Sequence, residues 1–470
     1  MTPPRLLQQI LTEFDDRISS ELNLDPLGLQ VIWSAYGQKI FRNRVSSISN
    51  DVRNYTLNLF NHWVVKSIAD DDAVRLGKGL QSEKAYAGKG KNAYAFRQAC
   101  LVYLENLFAF CMVDAQTRAG VETAGVLGIS KARRKWDESQ GKPRLLFSHE
   151  SKAHILVRQN LLGVSGRYKT PLVQMGFFDS AYDYALPSAR SLWKKVEEQL
   201  TTGLGPLAKL HKLVHVHVTE LLAEPNREPE RLFDQVPVEL RKAFVRSFSS
   251  PTAVGSYARE FWLSVTELDQ GAPGALYRVL SEELRRGGAT GPWSANKVFA
   301  RSVGQNLLAS ADKDKLEHVR LLEPFLGELD LLLDVILSAK SHSLNEVVAR
   351  WKALGRDENT LPRLAAPIVT NLTMSKQIAG TASERLKDLL DLAKEVEIQQ
   401  QSERLLKYHD KIMEARGQSP WLRLLSDGKL KIDVRPRVLP GKDERPVGTW
   451  IHHYYIPQFR HLLSGLWGNA

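Results

Sequence analysis

The chain has 470 residues, of which 43% are apolar and 25% charged, and 64 Lys and Arg against 53 Asp and Glu leave a formal charge of +11. These proportions belong to a folded globular chain, long enough for two to four domains, and exclude wholesale disorder. Two cysteines exclude a disulfide framework and a four-cysteine zinc site.

The first residues, MTPPRLLQQILTEFDD, bring acids early and no apolar core region, unlike a secretory signal. With no run of 18 or more apolar residues, no membrane partner is expected, and a cytoplasmic protein is. Pro3 and Pro4 suit a first helical turn, and helical periodicity predicts helices over Leu6–Leu11, Pro26–Phe41, Val52–Ile68 and Asn92–Thr117. The last holds Cys100 and Cys111, which eleven residues of helix set about 16 Å apart, too far to pair; they read as small buried hydrophobes. Glu105 and Asn106 interrupt the same segment, so it reads as a core helix. Further helices are predicted over Ser188–Leu200, Leu207–Leu222, Ala275–Arg286, Leu316–Ala339 and Leu344–Leu354. Ser343 with Glu346 forms a capping box, and Gly287-Gly288 after Arg285-Arg286 is a helix stop.

From Thr381 to Arg416 no Gly or Pro intervenes, and Thr381 with Glu384 reads as a capping box. Two readings fit the nearly all-polar middle at Ile398-Gln-Gln-Gln-Ser-Glu: one projecting helix of about 54 Å with that middle solvated, which the absence of Gly and Pro slightly favours, or two helices with a bend. Near the C-terminus Leu430, Ile432 and Val434 alternate with charged residues behind Asp427-Gly428, a favoured two-residue turn, which predicts a β-hairpin. An aromatic tail, TWIHHYYIPQFRHLLSGLW, follows. The fold class is mainly α: a multi-helix, bundle-like protein with a long projecting helix and a small C-terminal β-hairpin. Loop-like compositions at Glu224–Pro237, Gln270–Gly274, Gly287–Pro292 and Arg416–Pro420 suggest domains over 1–226, 227–417 and 418–470. No period of 20 to 50 residues repeats.

The positive charge is concentrated. Residues 129–170 hold ten basic and three acidic side chains, net +7, in less than a tenth of the chain. Crowding of one sign suits a polyanion, because each phosphate neutralised releases condensed counterions. At its centre, LGISKARRKW places Lys131, Arg134 and Lys135 on one face of a short helix capped by Ser130, with Arg133 on the flank and Trp136 turned inward. The stretch TAGVLGISKARRKW resembles part of a helix-turn-helix over about fourteen residues. It lacks one residue between Ser130 and Trp136, and has Arg133 where an apolar side chain packs. Lys142 and Arg144 follow, then Arg167 and Lys169 in a Gly-flanked segment with Phe177, Phe178, Tyr182 and Tyr184 behind it. Lys89 and Lys91 lie in a Gly-rich stretch before the Asn92 helix, where free backbone N–H groups suit an anion. It is not a P-loop, since Ala85 and Asn92 stand where Gly and Ser or Thr belong.

Catalytic patterns are scarce. His211 and His215 share a helix face as zinc ligands can, but Lys212 replaces the metalloprotease Glu, and His217 points elsewhere. His409-Asp410 lacks the rest of a phosphohydrolase set, and Gly163-Val-Ser165-Gly166-Arg167 is no nucleophile elbow. No catalytic residue, metal or cofactor is expected. Composition and helix content resemble those of motif-poor subunits of bacterial anti-phage or DNA-handling systems. The expected function is that of a non-catalytic adaptor subunit in such an assembly, binding nucleic acid (DNA before RNA) by its phosphate backbone. Its candidate contacts are Lys89, Lys91, Lys131, Arg133, Arg134, Lys135, Lys142, Arg144, Arg167 and Lys169. With about six phosphates in contact, log affinity falls against log salt with slope near −5. Two alternatives stand beside it: a protein–protein scaffold that docks through the 381–416 helix and the aromatic tail, and a metal-dependent hydrolase using His211, His215 and Glu220.

Overall fold

A computed structural model describes residues 25–468 apart from 202–204, 288–291, 307, 372 and 427. The expected helix Leu6–Leu11, with Pro3 and Pro4, lies outside the described residues, as do Gly288 and Asp427. The chain is mainly helical with a small amount of antiparallel sheet. It divides into two compact units, one of Met1–Ile40 with Ser294–Tyr454 and the other of Phe41–Trp293 with Tyr455–Ala470. Boundaries near 226 and 418 are therefore not where the chain divides. Strand pairing ties together the segments that they would separate: Arg144–Leu146 with Glu230–Leu232 in one unit, and Ser341–Ser343 with Lys429–Ile432 in the other.

The larger unit is built around two helices with almost no exposed face, Val52–Asp70 and Tyr94–Asp114. Asp51 caps the first by accepting from Arg53 N, and the Arg53 guanidinium closes back on the Asp51 carboxylate. Two of its buried asparagines bond inward, Asn54 donating to Gly125 O at 3.0 Å and Asn58 to Tyr168 O at 3.1 Å. By length and composition Tyr94–Asp114 meets the criteria for crossing a bilayer, but it is a core helix, with 94% of its apolar window buried. Cys100 and Cys111 are both buried and unpaired within it, as expected. Helices Val238–Phe248 and Pro251–Thr266 add to this core. The Ile456–Trp467 helix packs on the second so closely that a Cβ at Gly255 would come within 2.7 Å of Leu466 O. Gln270–Gly274 is not a linker; it starts the helix Gly271–Gly287.

In the smaller unit the 27-residue helix Ser310–Ile336 carries a buried carboxylate, Glu323. It accepts from Trp33 Nε1 (2.9 Å), Tyr454 OH (2.8 Å) and the amides of Ile451 (2.9 Å) and His452 (2.7 Å). The aromatic residues before Ile456 are thus used internally: Tyr454 is fully buried, and His452 stacks on Trp33 at 4.7 Å. One turn further along the long helix, Glu328 pairs with Arg356 at 2.9 and 3.0 Å, both almost wholly buried. The capping box of Ser343 with Glu346 forms as expected.

The projecting helix does not form. Thr381–Leu392 and Ile398–Ala415 are two helices packed on each other, with Leu386, Leu389 and Leu392 buried on one and Leu405, Leu406 and Ile412 on the other. The polar middle is the reason. Gln401 is buried, and its amide donates to Glu395 O (2.8 Å) and Glu358 O (3.0 Å), holding the reversal that two apolar stripes need in order to meet. The helix at Thr381 has Gly380 at its N-cap with no side-chain cap. The β-hairpin is present, pairing Leu422–Leu424 with Lys429–Ile432 and burying Leu430 and Ile432. Its connection is longer than a two-residue turn, with Leu425 N donating to Lys429 O, and Ser341–Ser343 adds a third strand.

Candidate nucleic-acid interface

The basic segment lies in the larger unit. Its short helix is present at Ile129–Glu138, but Gly128, at φ 80°, takes the N-cap position instead of Ser130. No helix-turn-helix is built. Fourteen residues of turn and irregular chain separate it from Tyr94–Asp114, so there is no paired first helix at a tight turn. Arg133, in the position that an apolar residue would occupy, donates to Gln116 Oε1 at 2.7 Å and to Thr123 Oγ1, pinning that connection. Trp136 turns inward, edge-on to Phe233 at 5.1 Å between ring centroids.

The ten candidate cations fall into three groups. Lys89, Lys131 and Arg167 are exposed, with no side-chain hydrogen bond or ion pair among the described residues. Arg134, Lys142 and Arg144 are exposed but paired with carboxylates: Arg134 with Glu138 at 3.0 Å, Lys142 with Asp234 at 3.2 Å, and Arg144 with Glu230. Two of these acids come from the 230–234 segment, which strand pairing delivers and which proximity in sequence does not show. Such exposed pairs hold about 0–1 kcal/mol each, and the carboxylate beside each cation offsets its charge towards a phosphate, so these three are not counted among the free contacts.

Arg133, Lys91, Lys135 and Lys169 are committed to the protein's own frame. Lys91 Nζ donates to Asp71 O, and Lys135 Nζ to His154 O at 2.8 Å. Burial lowers the Lys135 pKa. Lys169 donates to Ser180 O and lies over the Tyr182 ring at 4.2 Å and the Tyr94 ring at 5.5 Å. The expected Gly-flanked loop is in fact two short helices, Val164–Arg167 and Lys169–Met175, which is why Lys169 turns inward while Arg167 stays out. Phe177, Phe178, Tyr182 and Tyr184 are core, whereas Tyr94, stacked on Tyr182 at 5.1 Å between ring centroids, keeps 42% of its surface exposed beside Lys169.

One cation that the sequence reading passed over joins the free set. Arg158 is exposed and unpaired, in the left-handed conformation (φ 53°, ψ 48°) as N-cap of the turn Gln159–Leu162. The signal available was its place in the same +7 window.

The histidine helix makes no metal site. His211 stacks on Trp63 at 3.9 Å and meets Ser67 Oγ at 3.0 Å, His215 approaches Asp71, and His217 bonds to Tyr103 OH at 2.8 Å. Burial pushes His211 and His217 down to about 4. Glu220 is exposed, and no group of three or more metal-ligating side chains exists among the described residues. His409 is likewise structural, its Nδ1 on Pro26 O (2.9 Å) and its Nε2 accepting from Trp421 N (3.0 Å).

No protein-family model matches the chain, and neither a curated protein nor a solved structure is significantly similar to it.

Proposed function

We propose that the chain is a non-catalytic adaptor that holds nucleic acid, DNA in preference to RNA, by its phosphate backbone, within a bacterial assembly of the anti-phage or DNA-handling kind. The observation that carries this reading is the set of unpaired, exposed cations Lys131, Arg158 and Arg167 inside the +7 segment, with Lys89 elsewhere in the same unit. The interface is smaller than the sequence alone implies. Four free cations correspond to a slope of log affinity on log salt of about −3.5, against about −5 for six contacts.

The test is fluorescence anisotropy with a labelled 20-base-pair duplex of DNA or RNA between 50 and 300 mM salt. A native slope of about −3.5 that flattens to about −1 in Lys131→Ala/Arg158→Ala/Arg167→Ala agrees with the proposal. A native slope near zero, or a triple variant that keeps the native slope, overturns it. Tighter binding of RNA overturns the preference for DNA.

A further inference from the structure

Between His154 and Arg167 the chain places three apolar side chains in water on one short turn: Val157, Leu161 and Leu162 are 79%, 66% and 42% exposed. Single exposed apolar residues are ordinary; three within six residues on a rigid turn are not.

The rigidity comes from below. Gln159, 2% exposed, accepts from Ile155 N (2.8 Å) and donates to Asn106 Oδ1 (2.9 Å) and Glu105 Oε2 (3.1 Å). Glu105 Oε1 accepts from Ser165 N at 2.6 Å, and Asn106 donates to Ala153 O at 2.8 Å. Both ends of the turn are therefore tied to one buried polar cluster on the core helix Tyr94–Asp114. Gly166 sits against the backbone of the turn, where a Cβ would come within 2.5 Å of the Leu161 carbonyl carbon. The left-handed Arg158 fits the same description, since strained backbone persists only where its surroundings over-determine it.

We propose that the Val157–Leu162 turn is a docking face for a partner protein's segment that carries apolar side chains flanked by carboxylates. Charge complementarity selects this occupant. Unpaired Arg158 caps the turn at one end, and unpaired Arg167 follows the Gly166 contact at the other, while Glu150, the acid nearest in sequence, is held by Lys152 at 3.1 Å. An apolar centre with an arginine rim is how protein interfaces are built. Intact duplex DNA offers only isolated thymine methyl groups in the major groove as apolar counterparts, and a larger apolar surface only where a base step is unstacked. Asn160, the uncharged polar side chain on the turn's outer part, donates to His149 O at 3.3 Å, which ties its amide to the protein's own frame.

The test places a photo-crosslinking amino acid at Val157 in the full chain, in the cells that make it, and sequences the crosslinked product. The result expected is a peptide of another protein with apolar residues and at least two carboxylates within a span of about two helical turns. Leu161→Ser/Leu162→Ser, exposed substitutions that leave the buried cluster intact, should lower the crosslink yield at least tenfold while the DNA salt slope stays unchanged. A crosslink to nucleic acid alone, to a second copy of this chain, or to nothing overturns the proposal, as does a double variant with native yield. The salt slope fails or holds independently, so loss of this inference leaves the nucleic-acid reading separately decided.

Discussion

Gly163→Ala probes how firmly the basic segment is anchored. Gly163 has an extended backbone (φ −74°, ψ −179°), so conformation does not demand glycine there; space does. A Cβ would overlap Glu105 Oε2 and come within 2.6 Å of Gln159 O. Neither neighbour can give cheaply. Gln159 O accepts from Gly163 N at 2.7 Å, and a shift of about 1 Å at Glu105 would stretch its 2.6 Å bond from Ser165 N beyond hydrogen-bonding range. Overpacking costs about 1–3 kcal/mol, and a buried amide left without its acceptor about 1–3 kcal/mol more. The expected destabilisation is about 3 kcal/mol in urea unfolding followed by tryptophan fluorescence, with faster hydrogen exchange at the Ser165 amide. Gly287→Ala, where nothing lies within 4 Å and φ is not positive, is the comparison and should change stability by less than about 0.5 kcal/mol or raise it. A Gly163→Ala loss under about 1 kcal/mol with native exchange at Ser165 would refute the rigid anchor.

Burial sets the response to acid. His211, His217 and His452 are held at about 4, below the ordinary 6.5, so the unfolded chain takes up protons that the folded one refuses, and stability falls as pH drops from 6.5 towards 4. Each contributes up to about 2 kcal/mol of loss at pH 5, and His211→Phe, which keeps a ring on Trp63, should reduce the pH dependence of the urea midpoint by that amount; an unchanged dependence would show that His211 is not among the titrating groups. Glu323 acts in the opposite sense: burial raises it to about 7, so its share of stability falls as pH rises from 4.5 through 7. Arg356→Met should destabilise the smaller unit by about 3–5 kcal/mol because Glu328 is left buried without its partner, and adding Glu328→Leu should recover part of that loss, whereas equal losses in the single and double variants would mean that the charge is not the cause.

Much of the helical skeleton was legible along the chain. Leu207–Leu222 has its observed bounds, Val52–Ile68 and Leu344–Leu354 lie within two residues of theirs, and the Ser343–Glu346 cap is in place, because periodicity and capping are local properties. The helices Val238–Phe248 and Pro251–Thr266 were missed, although Ser250-Pro251 was a readable start: Ser250 Oγ accepts from Ala253 N at 3.0 Å. The candidate site was less legible. That the +7 window would keep Lys131 and Arg167 outside was readable; that Lys91, Lys135 and Lys169 would spend their charge on carbonyls and rings was not.

By itself the sequence determined the helical class, the burial of the two cysteines, the alternation in the hairpin and the concentration of positive charge. Each follows from residues within a few positions of one another. Tertiary structure alone decided that Thr381–Ala415 is two helices, since the amide of Gln401 acts on Glu395 and Glu358 only once the chain reverses. It also decided which cations stay free, since Asp234 and Glu230 reach Lys142 and Arg144 through strand pairing across more than eighty residues. Coulomb attraction depends on distance in space, and distance along a chain does not report it.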